Sequence, residues 1–392
     1  MTKAGRNVPV RAITRGPAHH FFGYYDKFQV DGTGRKMLVL ETDFMNRPPR
    51  ADDAARIGVV HLDQGDHLEL VAETTAWCWQ QSCMLQWFPG EPNRKIIFNV
   101  RLADHFGCCV QDLETGERRI YDRPIYTISS DGRFALCPNF ARLAVERPGY
   151  GYVGIPDPWQ DEPAPEDDGI YYLDLKTGAS RLIISLAQIV DIGLPRAARR
   201  YKHRFNHLLI SPDDRRFVFL HRWREGDDQK VGKTRMFTAN VDGTGIYCLN
   251  DHDMTSHFTW KDAHTVLAWA TRFGTGDHYY LFTDQTDEVV ALAPDKLLVD
   301  GHMSYSPHGE WLLTDTYPDR EQRRHLLLFH EPSETLVDIG GFYSPPALTG
   351  EIRCDLHPRW SRDGRLVTFD SAHEGSRQVY LANVSGIVNP ET

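Results

Sequence analysis

Short apolar runs alternate with polar turns along almost the whole chain. A turn-forming pair is followed within a few residues by an apolar run seven times. The pairs are Asp31-Gly32, Pro89-Gly90, Asp131-Gly132, Asp213-Asp214, Asp262-Ala263, His308-Gly309 and Asp363-Gly364. A second β-rich run follows most of them, for example Ile170-Tyr-Tyr-Leu-Asp-Leu-Lys-Thr-Gly. Short runs of this composition, joined by Asp-Gly and Thr-Gly turns, predict β-strands and hairpins.

Seven copies of a four-stranded unit predict an all-β fold, the seven-bladed β-propeller, which protects its strand edges by radial repetition. The last unit ends at Val384 without a fourth strand, and the run from Val8 to Thr14 can supply it. We therefore expect a propeller closed by an N-terminal strand. The predicted single domain spans residues 1–392, with an insertion at 140–168 and a partly helical, basic connection at 184–204. A pair of stacked sheets would not repeat one register seven times.

Four histidines stand in the same register of this repeat. Each lies four residues before the polar turn of its unit; they are His207, His257, His302 and His357. In a propeller this register lies near the start of the innermost strand, at the mouth of the central channel. A single histidine there is ordinarily a hydrogen-bonded filler. Four in register favour a site, because imidazoles beside a carboxylate such as Asp355 suit metal binding or general-base catalysis.

Composition narrows the range of partners. With 41% hydrophobic and 25% charged residues, the 392-residue chain has the make-up of a globular protein. The formal charge of −10 argues against a nucleic-acid partner. No apolar run approaches a membrane span, the start lacks a secretory signal, and the seven cysteines are an odd number. We therefore expect a reduced, cytoplasmic protein without a membrane partner, in which a local arginine cluster can still bind an acidic ligand.

Several of these segments resemble the oligogalacturonate lyases. Arg235-Met-Phe, followed by Thr255-Ser-His257-Phe-Thr-Trp, is similar to the segment that holds the family's catalytic arginine and histidine. His302 in Gly-His-Met-Ser resembles a metal-binding histidine, and Asp355-Leu-His357-Pro resembles the His-Pro-His-Pro metal motif. Asp355 stands where the family has histidine, and Ile352 where it has a glutamine ligand. The segment His19-His20-Phe-Phe-Gly-Tyr-Tyr is similar to the usual opening of the wider group of propeller lyases that act on uronic-acid glycans. The insertion that contains Tyr150 resembles the ulvan and rhamnose–glucuronate lyases of that group.

The resemblance implies a lyase that cleaves uronic-acid-containing oligosaccharides or glycans by β-elimination at the mouth of the channel. In that reaction Arg235 acts on the carboxylate side and His257 is the base, with His207 and Tyr150 as acid or relay. The predicted substrate-binding residues are His20, Gln81, His105, Arg142 and Arg222. His302, Asp355 and His357 would hold a divalent metal, which could be Mn, Ca or Zn. The expected partner is an acidic oligosaccharide.

Two other functions compete with this one. A non-catalytic propeller would bind a glycan or a protein at the same face without turnover. A glycosidase would need two carboxylates about 5 to 9.5 Å apart, and no such pair stands out in the channel register. The sequence leaves the sugar, the metal and the oligomeric state open.

Overall fold

The computed structural model describes residues 8–226 and 231–388. Twenty-eight strands in these ranges form seven four-stranded sheets. The predicted all-β fold, a seven-bladed β-propeller, is confirmed, and each sheet is one blade. None of the helices in the described ranges is long and apolar enough to cross a membrane.

The first three blades follow the N-terminal strand β1 (Val10–Ala12). Their strands are β2 (His19–Phe21), β3 (Lys36–Thr42), β4 (Ala55–His61) and β5 (His67–Thr74); β6 (Gln86–Trp87), β7 (Lys95–Arg101), β8 (Phe106–Asp112) and β9 (Arg118–Tyr121); β10 (Thr127–Ile128), β11 (Phe134–Cys137), β12 (Gly169–Asp174) and β13 (Ser180–Ser185). Helix α1 (Phe140–Glu146) lies within the third blade, in the connection between β11 and β12.

The remaining four blades follow helix α2 (Leu186–Asp191). Their strands are β14 (Arg204–Ile210), β15 (Arg216–Glu225), β16 (Val231–Asn240) and β17 (Tyr247–Asn250); β18 (Thr255–Trp260), β19 (Thr265–Arg272), β20 (Gly276–Thr283) and β21 (Val289–Ala291); β22 (Ser304–Tyr305), β23 (Trp311–Asp315), β24 (Arg323–His330) and β25 (Thr335–Tyr343); β26 (Arg359–Trp360), β27 (Leu366–Ser371) and β28 (Gln378–Asn383). Helix α3 (Ser385–Val388) follows β28, and 3-10 turns occupy Leu62–Gln64, Ala198–Arg200 and Gly350–Ile352.

Strand β1 completes the seventh blade. It pairs antiparallel with β28, with Val10 opposite Ala382 and Ala12 opposite Tyr380. The order within this sheet is β1, β28, β27, β26. The predicted closure by an N-terminal strand is therefore confirmed.

A serine at the end of the first strand sets the hairpin turn of a blade. The N–H of Ser211 donates to the carbonyl of Arg216 at 2.8 Å, and the Ser211 hydroxyl accepts from the Arg216 N–H at 3.0 Å. Ser361 makes the same two bonds with Leu366, both at 2.9 Å. Equivalent pairs are Ser129 with Phe134 and Ser306 with Trp311. This repeated local bonding accounts for the recurrent polar turn, and it sets the register of the histidines four residues earlier.

The chain divides into two compact units. The first comprises Met1–Val100, Cys109–Arg119 and Leu298–Thr392, and the second Arg101–Cys108 and Ile120–Leu297. Each has its own apolar cluster, which includes Phe21 and Trp77 in the first and Met236 and Phe258 in the second. Each such side chain, when fully buried, contributes about 1.5–3 kcal/mol. The assignment of one domain to residues 1–392 stays a prediction.

Candidate functional site

All three predicted metal ligands meet in the first unit. One potential ligand atom each from His302, Asp355 and His357 lies within 4.8 Å of the others, and all three residues are buried. The two imidazole rings pack edge to face, with centroids 4.3 Å apart. His357 has a φ of +42°, in the left-handed region that non-glycine residues adopt at a cost. The tertiary structure therefore holds this histidine in a strained conformation beside its neighbours.

Asp315, at the end of β23, contacts the ring of His302 and the backbone of His357. Its Oδ1 lies 2.8 Å from Nδ1 of His302, and its Oδ2 accepts the backbone N–H of His357 at 3.2 Å. A carboxylate that accepts from Nδ1 directs Nε2 of the same ring away from itself, which is the arrangement behind many metal-binding histidines. Asp315 is itself 1% exposed, so this orientation is fixed within the core.

Two arginines surround the carboxylate of Asp355. Nη1 of Arg324 lies 2.7 Å from its Oδ1, and Nε of Arg353 donates to its Oδ2 at 2.7 Å. Burial would raise the pKa of Asp355, but the charges of Arg353 and Arg324 outweigh burial and hold this pKa well below its usual range. Asp355 is therefore an ionised carboxylate whose charge is already neutralised by protein cations.

The chemistry of this cluster fits a divalent metal. Nε2 of His357 is buried and makes no hydrogen bond within the described residues, and burial lowers the pKa of this imidazole well below its usual value. A neutral imidazole whose nitrogen is buried from solvent is a good transition-metal ligand. Asp355 Oδ2 lies 3.8 Å from that nitrogen and can add a charged oxygen. Two imidazoles and one carboxylate are ligands that divalent transition metals accept.

A chain of buried polar groups occupies the fourth blade, in the second unit. The Ala198 carbonyl can only accept, so its 3.1 Å contact identifies Nε2 of His203 as a donor. Burial lowers the pKa of His203 to about 4, so the neutral ring accepts at Nδ1, which lies 2.9 Å from Nε2 of His221. Nδ1 of His221 then accepts from Arg235, whose Nε is 3.3 Å away. The chain of contacts thus defines both tautomers.

Arg235, the predicted carboxylate-side residue, is held by protein acceptors. Its Nη2 donates to the carbonyl of Ile189 at 2.9 Å, and its Nη1 donates to the carbonyl of Ile192. These carbonyls lie at the C-terminal end of α2, where a cation is favourable. Burial lowers the pKa of Arg235. Its role in catalysis stays a prediction.

His207 and His257, predicted as relay and base, lie in the first strands of neighbouring blades. The ring of His207 stacks on Phe258, with centroids 4.0 Å apart, and His207 has a φ of +52° at the bulge in β14. Nδ1 of His257 lies 3.1 Å from the hydroxyl of Ser256. Both histidines are buried. Phe258, which follows His257 in β18, therefore contacts the His207 ring directly.

The insertion at 140–168 is anchored by Arg142. Asn139 is the N-cap of α1, and its side-chain oxygen accepts the N–H groups of Ala141 and Arg142. The Arg142 guanidinium pairs with Asp157 at 3.1 Å. It also donates to the carbonyls of Trp159, Glu162, Pro163 and His203 at 2.6 to 3.0 Å. These contacts give Arg142 a structural role, and its assignment to substrate binding stays a prediction.

The other predicted site residues divide between the two units. Tyr150 is buried, with the guanidinium carbon of Arg147 4.9 Å from its ring centroid. His20 is buried between Gln378 and Glu41, at 2.8 and 2.9 Å. Gln81 is buried, His105 pairs with Asp104 at 2.6 Å, and Arg222 donates to the carbonyls of Thr255 and Ser256. Their assignments stay predictions.

Sequence reasoning missed Asp315 and His221. Each ends the apolar run of the second strand of its blade, in Leu312-Leu-Thr-Asp315 and Val218-Phe-Leu-His221. Glu41 and Asp370 also follow the apolar run of the second strand in their blades, and they bind partners from other strands, His20 and Arg359. A polar residue that closes an apolar second strand is the signal that would have identified them.

No protein-family model matches the chain, and no curated protein matches it. Among solved structures, an oligogalacturonate lyase in complex with manganese is 17% identical, with a TM-score of 0.69 over 98% of this chain and 95% of that chain. An oligogalacturonate lyase from Vibrio parahaemolyticus is 15% identical, with a TM-score of 0.68 over 98% and 96%. The tricorn protease, 11% identical, has a TM-score of 0.54 over 96% of this chain and 35% of its own. At these identities the likeness concerns the fold, and this chain shares the seven-bladed fold of the oligogalacturonate lyases.

Proposed function

We propose that the protein is a lyase that cleaves uronic-acid-containing oligosaccharides by β-elimination. The fold it shares with oligogalacturonate lyases supports this reaction class. The observation that carries the proposal is the placement of His257. Arg222 donates to the carbonyls of the two residues before it, Thr255 at 2.9 Å and Ser256 at 3.1 Å, so a cation lies next to the proposed base.

In this reaction a base removes the proton at C5 of a uronate, and the oxygen linked at C4 leaves. We assign the base role to His257. A neutral imidazole accepts that proton at Nε2 only when its own hydrogen is on Nδ1. The hydroxyl of Ser256, 3.1 Å from Nδ1, is suitably placed to accept that hydrogen.

The C5 proton is only weakly acidic, so nearby positive charge must stabilise the anion formed when it leaves. Arg235, fixed by His221 and by carbonyls at the C-terminal end of α2, supplies a positive charge that needs no reorganisation during the reaction. Tyr150 and His207 are the proposed acid or relay groups, which would return a proton to the leaving oxygen.

We also propose that His302, His357 and Asp355 hold a divalent metal in the first unit. Such an ion, when bound, acts as a Lewis acid toward an oxygen ligand. Asp315 orients His302 for this task, and the ion pairs with Arg324 and Arg353 keep Asp355 ionised. The solved manganese complex of an oligogalacturonate lyase supports the same class of ion.

The test is incubation with a panel of oligogalacturonates and glucuronate-containing oligosaccharides, followed by the ultraviolet absorbance of the unsaturated product. We expect wild type to form this product and His257→Ala to lose it by about 10²–10⁴-fold in rate. The matched control is His264→Ala, an exposed histidine of the same blade. Binding by wild type without any product across the panel would instead identify a non-catalytic glycan-binding propeller.

The cytoplasmic location stays a prediction, supported by seven cysteines that are all free thiols.

A further inference from the structure

Arg204, the first residue of β14, is a buried arginine with no acidic partner among the described residues. Arg204 is 4% exposed, and its Nε and Nη1 atoms make no hydrogen bond within residues 8–226 and 231–388. Burial and the charges of Arg222, Arg224 and Arg147 together lower its pKa to about 9, and the charge of Glu146 acts in the opposite direction. Burying an unpaired cation is costly, so such a group calls for an anionic partner.

The neighbours of Arg204 have the same charge. In the antiparallel register of β14 and β15, Arg204 lies opposite Arg222. Arg224 lies two residues further along β15. Residues directly opposite each other, and residues two apart, share one face of a sheet. Three guanidinium groups therefore line one face of this hairpin. Like charges so placed destabilise a protein unless an anion lies among them.

This arginine group is connected to both ends of the proposed reaction. Arg222 donates to the carbonyls of Thr255 and Ser256, immediately before His257. Arg147, whose charge acts on Arg204, lies over the ring of Tyr150 with its guanidinium carbon 4.9 Å from the centroid. The segments that carry the proposed base and the proposed acid thus both contact neighbours of Arg204.

The other three buried arginines among the described residues of this unit, Arg142, Arg216 and Arg235, have donors engaged by protein acceptors. Arg216 donates to Asn240, Gly245 and Thr238 and pairs with Asp284. Arg235 donates to His221, Ile189 and Ile192. Arg142 pairs with Asp157 and donates to four backbone carbonyls. In the part of the chain that the structure describes, Nε and Nη1 of Arg204 have no such bonds, although Arg204 is as deeply buried. Its donors are therefore available for an oxygen that the protein itself does not supply.

We propose that Arg204, together with Arg222 and Arg224, is the subsite that binds the carboxylate of the uronate. This inference rests on the proposed function and names the residues that contact the carboxylate of the substrate. Arg235 contributes only its charge, because its donors already bond His221, Ile189 and Ile192. A guanidinium is suited to a carboxylate because it offers two parallel N–H donors.

The test compares Arg204→Gln with wild type in calorimetric binding of tri-galacturonate and of its methyl ester, which lacks the charges. We expect Arg204→Gln to bind the acid roughly ten- to hundredfold more weakly, since charge-assisted hydrogen bonds are lost, while its affinity for the ester is unchanged. Arg215→Gln, an exposed arginine in the turn of the same hairpin, should bind both as wild type does.

Stability separates a ligand-binding arginine from a structural one. Removal of an unpaired buried cation should leave the midpoint of thermal unfolding unchanged or raised. Wild-type affinity for the acid in Arg204→Gln, or a lower midpoint with equal losses for acid and ester, would overturn the proposal. Sodium sulfate that binds wild type as tightly as tri-galacturonate would also overturn the assignment to a sugar carboxylate.

Binding and turnover are read separately, so the two proposals fail in different ways. Binding that depends on Arg204, without unsaturated product, would retain the subsite and reject the lyase. Product formation with equal KM in wild type and Arg204→Gln would retain the lyase and reject the subsite.

Discussion

Oδ1 of Asp315 accepts the backbone N–H of His302 at 2.7 Å and lies 2.8 Å from Nδ1 of the same histidine. The carboxylate therefore holds the ring and the main chain of one residue together. Because the two groups are buried, neither contact competes with water. The orientation of His302 is thus a property of the protein before any ion binds.

Replacement of Asp315 should weaken metal binding. In Asp315→Asn the ring of His302 loses its charged partner, and we expect the affinity for Mn²⁺ or Zn²⁺ to fall about 10–100-fold. Isothermal titration calorimetry measures this change. Asp319→Asn is the control, because Asp319 contacts His325 of the same blade at 3.2 Å but is half-exposed. Equal affinities in wild type and Asp315→Asn would contradict the metal site.

Asp355 should contribute strongly to stability. Asp355→Asn leaves Arg324 and Arg353 without their carboxylate, so we expect the free energy of unfolding to fall by about 3 kcal/mol. The exposed pair of Asp191 and Arg199 is the comparison, and Asp191→Asn should cost less than about 1 kcal/mol. Urea unfolding at pH 7 measures both.

The pH dependence of that contribution has a defined sign. The pKa of Asp355 is lowered in the folded protein, so its stabilisation is present above the usual aspartate pKa and is lost only as pH falls through the lowered value. The difference in the free energy of unfolding between wild type and Asp355→Asn should therefore be the same at pH 5 as at pH 7 and should shrink by pH 3. A difference that stays constant down to pH 3 would show that folding does not lower the pKa of Asp355.

His203 should make the protein sensitive to mild acid. Its pKa falls from 6.5 to about 4 on folding, because of burial and the nearby charges of Arg235, Arg142 and Arg204. As pH falls, the unfolded chain binds a proton at His203 before the folded protein does. The free energy of unfolding is therefore unaffected by His203 above pH 6.5 and declines as pH falls toward 4, by up to about 3 kcal/mol. Urea unfolding at pH 7 and pH 5 should show a smaller loss for His203→Gln than for wild type. His264→Gln, an exposed control, should keep the full loss.

Arg142 should be required for the order of the insertion. Arg142→Ala removes the ion pair with Asp157 and the bonds to four carbonyls, so we expect a loss of about 3–5 kcal/mol in the free energy of unfolding. Limited proteolysis should then cleave within residues 140–168 faster than in wild type. Arg133→Ala, an exposed arginine of the same blade, should cleave at the wild-type rate. Unchanged cleavage in Arg142→Ala would show that other contacts hold the insertion.

The blades and their turns could be predicted from the sequence because their signals are local. A turn such as Ser211 with Asp213 is bonded within a few residues, and the apolar run after it forms the next strand. The closing strand Val10–Ala12 was predictable as well, because the seventh unit lacked a fourth strand. Counting repeats therefore sufficed for the fold and for the shared register of His207 and His357.

The chemistry of each side chain depended on partners that lie far away in the sequence. The sequence alone placed Asp355 beside His357 but did not predict that Arg324 would neutralise it. It singled out Arg142 and Arg235, whereas the folded chain engages their donors and leaves Arg204 buried with no carboxylate partner within residues 8–226 and 231–388. The physical reason is that the repeat specifies which strands form, while packing between strands determines which buried donors find acceptors.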